Sequence, residues 1–183
     1  MLRIVAGKYK NTRLEQPPKE ITRASSEKLR EAIFSSLQFD IEGKTFLDLF
    51  GGSGAFCFEA ISRGIKSATI VEKNFLAFKT IKQNKAKFSA EDIEIHNKDA
   101  IKFLTNKATK TFDFVFVDPP YKMSDLYTKS LQLLFQNDWI NQDTMIIVET
   151  DNETFNCGNN YEIVKTKKYG ISYIFFLIPV FKK

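Results

Sequence analysis

The sequence predicts an α/β protein built on a doubly wound, mostly parallel seven-stranded sheet. Three observations carry that expectation. From residue 44 onward, short apolar runs rich in β-branched and aromatic residues alternate with stretches of helical spacing, the pattern of repeated βα units. A glycine-rich turn, Phe50-Gly51-Gly52-Ser53-Gly54, joins the first such run to the first such helix. After residue 149 the alternation stops: residues 161–169 and 171–179 read as two strands around Gly170 with no helix between them. That pair would close the sheet with an antiparallel hairpin.

The elements follow in order. Residues 2–6 and 12–14 flank Gly7-Lys8-Tyr9-Lys10-Asn11. Gly and Asn both tolerate a left-handed turn, so the chain opens with a small hairpin bearing a basic tip. Pro17-Pro18 ends it. Within residues 22–37, Ser25 or Ser26 can cap a helix that has Glu27 in its first turn. Leu29, Ala32, Ile33 and Leu37 share one face of it, leaving Arg23 and Arg30 off that face and free for a ligand. Residues 45–49 are the first strand of the main sheet, and 55–63 a helix that Gly64 is placed to end. Residues 67–72 are the second strand, and 74–88 a helix with Phe75, Phe78, Ile81 and Lys82-Gln83 at helical spacing. Residues 93–96 are the third strand, and Asp99 can cap a helix over 100–104. Residues 112–117 are the fourth strand and 144–149 the fifth. Between them, 124–135 read as a helix with Leu126, Leu131, Leu134 and Phe135 inward. Residues 1–43 thus form a small N-terminal hairpin-and-helix extension, and 44–183 one domain.

At 183 residues the chain can bury a good core, and 18 phenylalanines suggest a dense one. No run approaches the roughly 18 apolar residues of a membrane span, and Met1-Leu2-Arg3 opens no signal peptide, so a cytoplasmic protein without membrane attachment is expected. Cys57 lies in an apolar helical pattern and reads as a buried free thiol. With one histidine, His96, and no clustered cysteines, no metal site is expected. Charge is unevenly spread. Residues 1–30 hold eight basic and three acidic side chains, so this sixth of the chain carries the whole net charge of +5. A polyanion partner and a merely solvated basic face are both compatible with that.

Four strand ends carry the chemistry. The fourth strand stops at Asp118-Pro119-Pro120-Tyr121. Two prolines cannot continue a ladder and have no N–H to donate, so an acid, two carbonyls and an aromatic ring are delivered to one point. In open α/β sheets that edge is where ligands sit. The first strand ends in Asp48-Leu49 and the glycine loop, whose backbone can approach a ligand and expose N–H groups at the helix start. The loop is neither a Gly-Lys-Ser/Thr phosphate loop nor a GxGxxG dinucleotide fingerprint. Glu72, at the end of the second strand, suits ribose hydroxyls or is an ordinary solvated strand-end acid. Asp99, followed by Ala100, suits an adenine amino group or is a plain helix cap.

Together these residues accommodate an adenosine without a pyrophosphate clamp. Here the sequence resembles the S-adenosylmethionine-dependent amino-methyltransferases, with Asp48-Leu49-Phe50-Gly51-Gly52-Ser53-Gly54 as cofactor loop and Asp118-Pro119-Pro120-Tyr121 as catalytic motif. Arg3-Ile4-Val5-Ala6-Gly7, Thr22-Arg23 and Lys28-Leu29-Arg30-Glu31-Ala32-Ile33-Phe34 further resemble the N-terminal signature of the RsmD family. Asn11 and Ala24 depart from its usual glycine and proline. The resemblance implies a Rossmann-like fold and methylation of a guanine N2 amine in small-subunit (16S) ribosomal RNA, free or in a small-subunit assembly intermediate. It also implies S-adenosylhomocysteine as product. Asp48, Phe50, Gly52, Ser53, Gly54, Glu72, Asp99 and Ala100 would hold the cofactor. Asp118, Pro119, Pro120 and Tyr121 would hold the base, and Arg3, Lys8, Lys10, Arg13, Arg23 and Arg30 the RNA. Two other readings stand beside it: a DNA adenine-N6 methyltransferase, and a non-catalytic RNA-binding or ribosome-assembly protein. A dehydrogenase is disfavoured by the glycine spacing.

Overall fold

The computed structural model describes residues 2–18, 20, 26–37, 41–88 and 91–181. The chain divides into two compact units, Met1–Asp99 and Ala100–Lys183. The hairpin belongs to the first unit because buried side chains of α-helices later in that unit bond to its backbone.

The first unit opens with a hairpin of β1 (Leu2–Arg3) and β2 (Arg13–Leu14), Leu2 facing Leu14. Then come α1 (Glu27–Ser35), β3 (Thr45–Asp48), α2 (Ala55–Ser62), β4 (Ser67–Val71), α3 (Phe75–Lys85) with a 3-10 turn Ala86–Phe88, and β5 (Asp92–His96). Its main strands run parallel in the order β5-β4-β3. The second unit holds α4 (Ala100–Leu104), β6 (Phe114–Val117), α5 (Asp125–Gln136), β7 (Met145–Thr150), β8 (Tyr161–Tyr169) and β9 (Ser172–Pro179). Its strands run in the order β6-β7-β9-β8, with β6 and β7 parallel and β9 and β8 antiparallel. These are the seven strands of the mostly parallel sheet expected from the sequence, C-terminal hairpin included.

Local chemistry explains the starts. The Ser26 hydroxyl accepts from the Leu29 N–H at 3.1 Å and caps α1. The Asn74 amide oxygen accepts from Leu76 and Ala77 at 2.9 and 3.1 Å and caps α3. The buried face of α3 includes Ile81 but not Phe75. Ala77, Thr80, Ile81 and Asn84 are buried, while Phe75 is 55% exposed. In α5 the inward residues are Tyr127, Ser130, Leu131 and Leu134; Leu126 and Phe135 are only half-buried. Tyr127 can turn inward because buried carbonyls accept its hydroxyl. Every residue of α2 is buried, Cys57 among them as the expected free thiol.

Aromatic packing supplies much of each core. In the first unit Phe58 stacks on Phe88 at 4.7 Å between centroids, with Tyr9 of the hairpin 4.6 Å from the same ring. In the second, Trp139 lies 4.7 Å from Phe103. No described helix is long and apolar enough to cross a membrane.

Candidate active site

The first unit carries the candidate cofactor residues except Ala100, which begins the second. β3 ends at Asp48, whose buried carboxylate accepts the Phe50 N–H at 3.1 Å and so bends the chain into the glycine loop. Burial is the main cause that pushes Asp48 up from 3.8 to about 7, and nearby Glu72 adds to it. Gly52 and Gly54 both take positive φ, 55° and 78°, which side-chain-bearing residues rarely adopt. Gly54 is also closed in by packing, since a Cβ there would meet Phe58 Cε2 at 2.6 Å. The loop leads into α2 with no side chain capping its first N–H groups.

Glu72 closes the other side of this loop. One carboxylate oxygen accepts the Gly52 N–H at 2.7 Å and the other the Asn74 N–H at 2.6 Å. Desolvation still raises its pKa, partly offset by those N–H groups. A carboxylate has about four acceptor directions, so Glu72 has capacity left for a ribose hydroxyl. Asp99 is half-buried and pairs with Lys73 at 3.1 Å. Phe50 and Ser53 are half-buried and Ala100, the first residue of α4, is buried. Acceptors beyond the ends of β4 and β5 and the lack of a basic side chain in the loop suit a nucleoside better than a pyrophosphate.

Two residues here carry no signal in the sequence. Asn84, fully buried on α3, donates to Ser53 O at 3.2 Å and Glu15 O at 3.0 Å while accepting the Glu15 N–H at 2.7 Å. It ties the glycine loop to the end of the hairpin. Glu59, fully buried in α2, accepts the N–H groups of Val5 and Ala6 at 2.8 and 3.0 Å and pairs with Arg63 at 2.8 Å. Ser62 adds a bond from the Tyr9 N–H at 2.9 Å. A lone polar residue in an apolar helical run shows its partners only once the chain is folded.

The basic residues separate into groups. Arg3, Lys8, Lys10 and Arg13 are exposed on the hairpin. Arg3 lies 3.4 Å from Glu27, and Lys8 donates to Glu91 at 2.7 Å. Arg30 does not join them, which corrects the expectation that it is free for a ligand. Its side chain is fully buried, donates to Arg3 O at 2.7 Å and lies 3.9 Å from Glu59. Burial lowers its pKa, against the attraction of Glu59. The Arg3 carbonyl and the nearby Glu59 carboxylate hold it inside. Arg23 lies outside the described residues.

The second unit carries the candidate catalytic residues. β6 is buried along its length and stops at Asp118-Pro119-Pro120-Tyr121, with Asp118 and Tyr121 half-buried and Pro119 buried. The Tyr121 ring is held by its hydroxyl, 3.2 Å from Glu149 Oε1 and 3.0 Å from Ser172 Oγ. Ser172 Oγ in turn donates to the same Glu149 oxygen at 3.1 Å. Tyr127 donates to Glu149 O at 3.0 Å and lies 3.5 Å from Pro119 O. Burial chiefly raises the Tyr127 pKa, keeping it a donor. So the ends of β7 and β9 hold the Asp-Pro-Pro-Tyr turn, and neither Glu149 nor Ser172 announces this in the sequence. Among the described residues, no group of three or more His, Cys, Asp or Glu is placed to hold a metal ion.

The chain is similar to known proteins along most of its length. The family described as conserved hypothetical protein 95 matches residues 2–178. A ribosomal RNA small subunit methyltransferase D of Haemophilus influenzae is 32% identical over 93% of this chain and 90% of its own. One of Escherichia coli is 32% identical over 83% and 76%. In structure, the provisionally named methyltransferase yhhF of Escherichia coli superposes with a TM-score of 0.87 at 28% identity, covering 97% of both chains.

Proposed function

We propose that this chain, which belongs to the family described as conserved hypothetical protein 95, transfers a methyl group to the exocyclic N2 amine of a guanine in small-subunit ribosomal RNA. It is an S-adenosylmethionine-dependent ribosomal RNA methyltransferase. The guanine amine as target, and the roles of individual residues, are our reading. The observation that carries it is the turn at the end of β6, where an acid and a proline carbonyl stand beside a ring whose hydroxyl is pinned from β7 and β9.

Bound S-adenosylmethionine supplies a methyl group activated by its positive sulfur. Glu72 would accept from the ribose hydroxyls and Asp99 from the adenine amine, with the backbone from Asp48 to Gly54 against the remainder, and Ala100 is a further candidate contact. The substrate amine is a poor nucleophile, because its lone pair is conjugated into the ring. The Asp118 carboxylate and Pro119 carbonyl accept its two N–H bonds, which lets the nitrogen pyramidalise and aim its lone pair at the methyl. Pro119 and Pro120 keep those acceptors rigid. Tyr121 stacks on the extruded base, a contact worth about 1–3 kcal/mol. Asp118 takes the proton late, once the nitrogen has become a cation. Arg3, Lys8, Lys10 and Arg13 meet phosphates, so binding weakens steeply with salt. A small-subunit assembly intermediate is the particle we propose as substrate, because a target base must be extruded before a ring can stack on it.

Asp118→Ala should lower methyl transfer by at least about 100-fold while cofactor affinity stays near wild type. Turnover close to the wild-type rate would reject the assignment. Mass spectrometry of ribosomal RNA nucleosides from a deletion strain should show loss of N2-methylguanosine. Loss of a DNA N6-methyladenine signal instead would favour the adenine reading.

A further inference from the structure

We propose that the solvent face of α3, made of Phe75, Phe78, Lys79 and Lys82, is a second RNA-contact surface that stacks on unpaired bases and pairs with their phosphates. The inference rests on the ribosomal RNA reading and names a surface the catalytic site does not use. α3 carries two stripes of the same spacing. Ala77, Thr80, Ile81 and Asn84 are buried at i, i+3, i+4 and i+7. Phe75, Phe78, Lys79 and Lys82 repeat that spacing two positions earlier, roughly 200° around the helix. The core stripe is already filled, so the phenylalanine stripe is left facing water: Phe75 is 55% exposed and its neighbour Leu76 50%. The two rings stack at 6.3 Å and 26°. Each has a cation over it, Lys79 Nζ 4.7 Å from the Phe75 centroid and Lys82 Nζ 4.8 Å from that of Phe78.

Charge identifies the occupant. From Lys73 to Phe88 the sequence holds five lysines and no acidic residue. Three of the five are committed within the unit: Lys73 to Asp99, Lys85 to Ile93 O, and Lys87 to Arg13 O and Glu15. Lys79 and Lys82 lie instead over exposed Phe75 and half-buried Phe78. A pair of rings with an ammonium group on each suits a single-stranded polyanion, whose phosphates draw the lysines off the rings while its bases take their place. The surface is also continuous with the basic hairpin. Lys87 and Asn84, in the turn after this helix and in the helix itself, bond the backbone of Arg13 and Glu15 at 2.7 and 3.0 Å.

The test uses fluorescence anisotropy with a labelled single-stranded oligoribonucleotide and with 16S ribosomal RNA, alongside calorimetry with S-adenosylmethionine. Phe75→Ala should weaken RNA binding roughly tenfold at unchanged salt slope. The double variant Lys79→Ala, Lys82→Ala should reduce the slope of log K against log salt by about 2. Both should keep wild-type cofactor affinity, which also reports an intact fold. Wild-type RNA affinity and slope in both variants would overturn the inference and leave the function standing. Loss of cofactor rather than RNA affinity in Phe75→Ala would overturn it by assigning the ring to the cofactor. A wild-type protein that binds no ribosomal RNA would remove the function and this surface together.

Discussion

The N-terminal hairpin and the C-terminal hairpin each meet a buried glutamate, and the contrast between the two is instructive. Glu59 receives two backbone N–H groups of the first hairpin and lies among Arg30 and Arg63. Glu149 receives the hydroxyls of Tyr121 and Ser172, the second of them from the first residue of β9. One glutamate sits among charges and holds backbone. The other uses neutral donors and holds a ring at the end of β6. A buried charge cluster is costly to break, because its remaining members stay charged and dry. A hydroxyl bond is cheap to break, at about 1 kcal/mol, but it aims what it holds. The first arrangement therefore suits anchoring and the second suits positioning.

The largest expected effect tests the anchoring side. Glu59→Ala leaves Arg30 buried without its counter-charge, and urea unfolding should show a loss of about 3–5 kcal/mol. A loss below about 1 kcal/mol would mean that the cluster anchors nothing, and the contrast would fail. The positioning side predicts a smaller effect of another kind. Ser172→Ala and Tyr121→Phe should each lower methyl transfer about 5–10-fold while unfolding stability stays within roughly 1 kcal/mol of wild type. Because both remove the same Tyr121–Ser172 bond, the double variant should be little worse than either single one. Fully additive losses in rate would show that Ser172 acts elsewhere.

Asp48 adds an effect of a third kind, one that depends on pH. It is a buried carboxylate with neither a cation nor a pair of hydroxyls among its bonds, and its pKa rises to about 7. A carboxyl raised in the folded state contributes stability that is complete below its unfolded value and is lost as pH climbs through the folded one. Asp48→Asn should therefore match wild type in melting temperature near about pH 4 and exceed it near about pH 8, by roughly 10 °C. A melting difference that does not grow with pH would remove Asp48 from this account.

The strand ends were readable in advance because each has a local marker. Glycines with positive φ follow β3, a carboxylate follows β4, and two prolines end β6. Helix phase was readable only in part. Helical spacing in α3 did not say which of its members face inward: Ile81 is buried and Phe75 exposed. Arg30 was misread for a related reason. It lies off the apolar face of α1, and apolar periodicity cannot show a carboxylate on another helix that draws a guanidinium inside.

Short-range pattern alone was enough for the order of strands and helices, the antiparallel close of the sheet, the glycine loop and the rigid acid-proline turn. Each depends on backbone preferences that act over a few residues. Long-range packing was needed to bring Glu59 under the hairpin, Asn84 under the glycine loop, and Glu149 with Ser172 behind Tyr121. Those partners are separated by 53, 31, 28 and 51 positions. No propensity or period spans such distances. The requirement that every buried polar group find a partner does, and it acts only when the chain has closed around it.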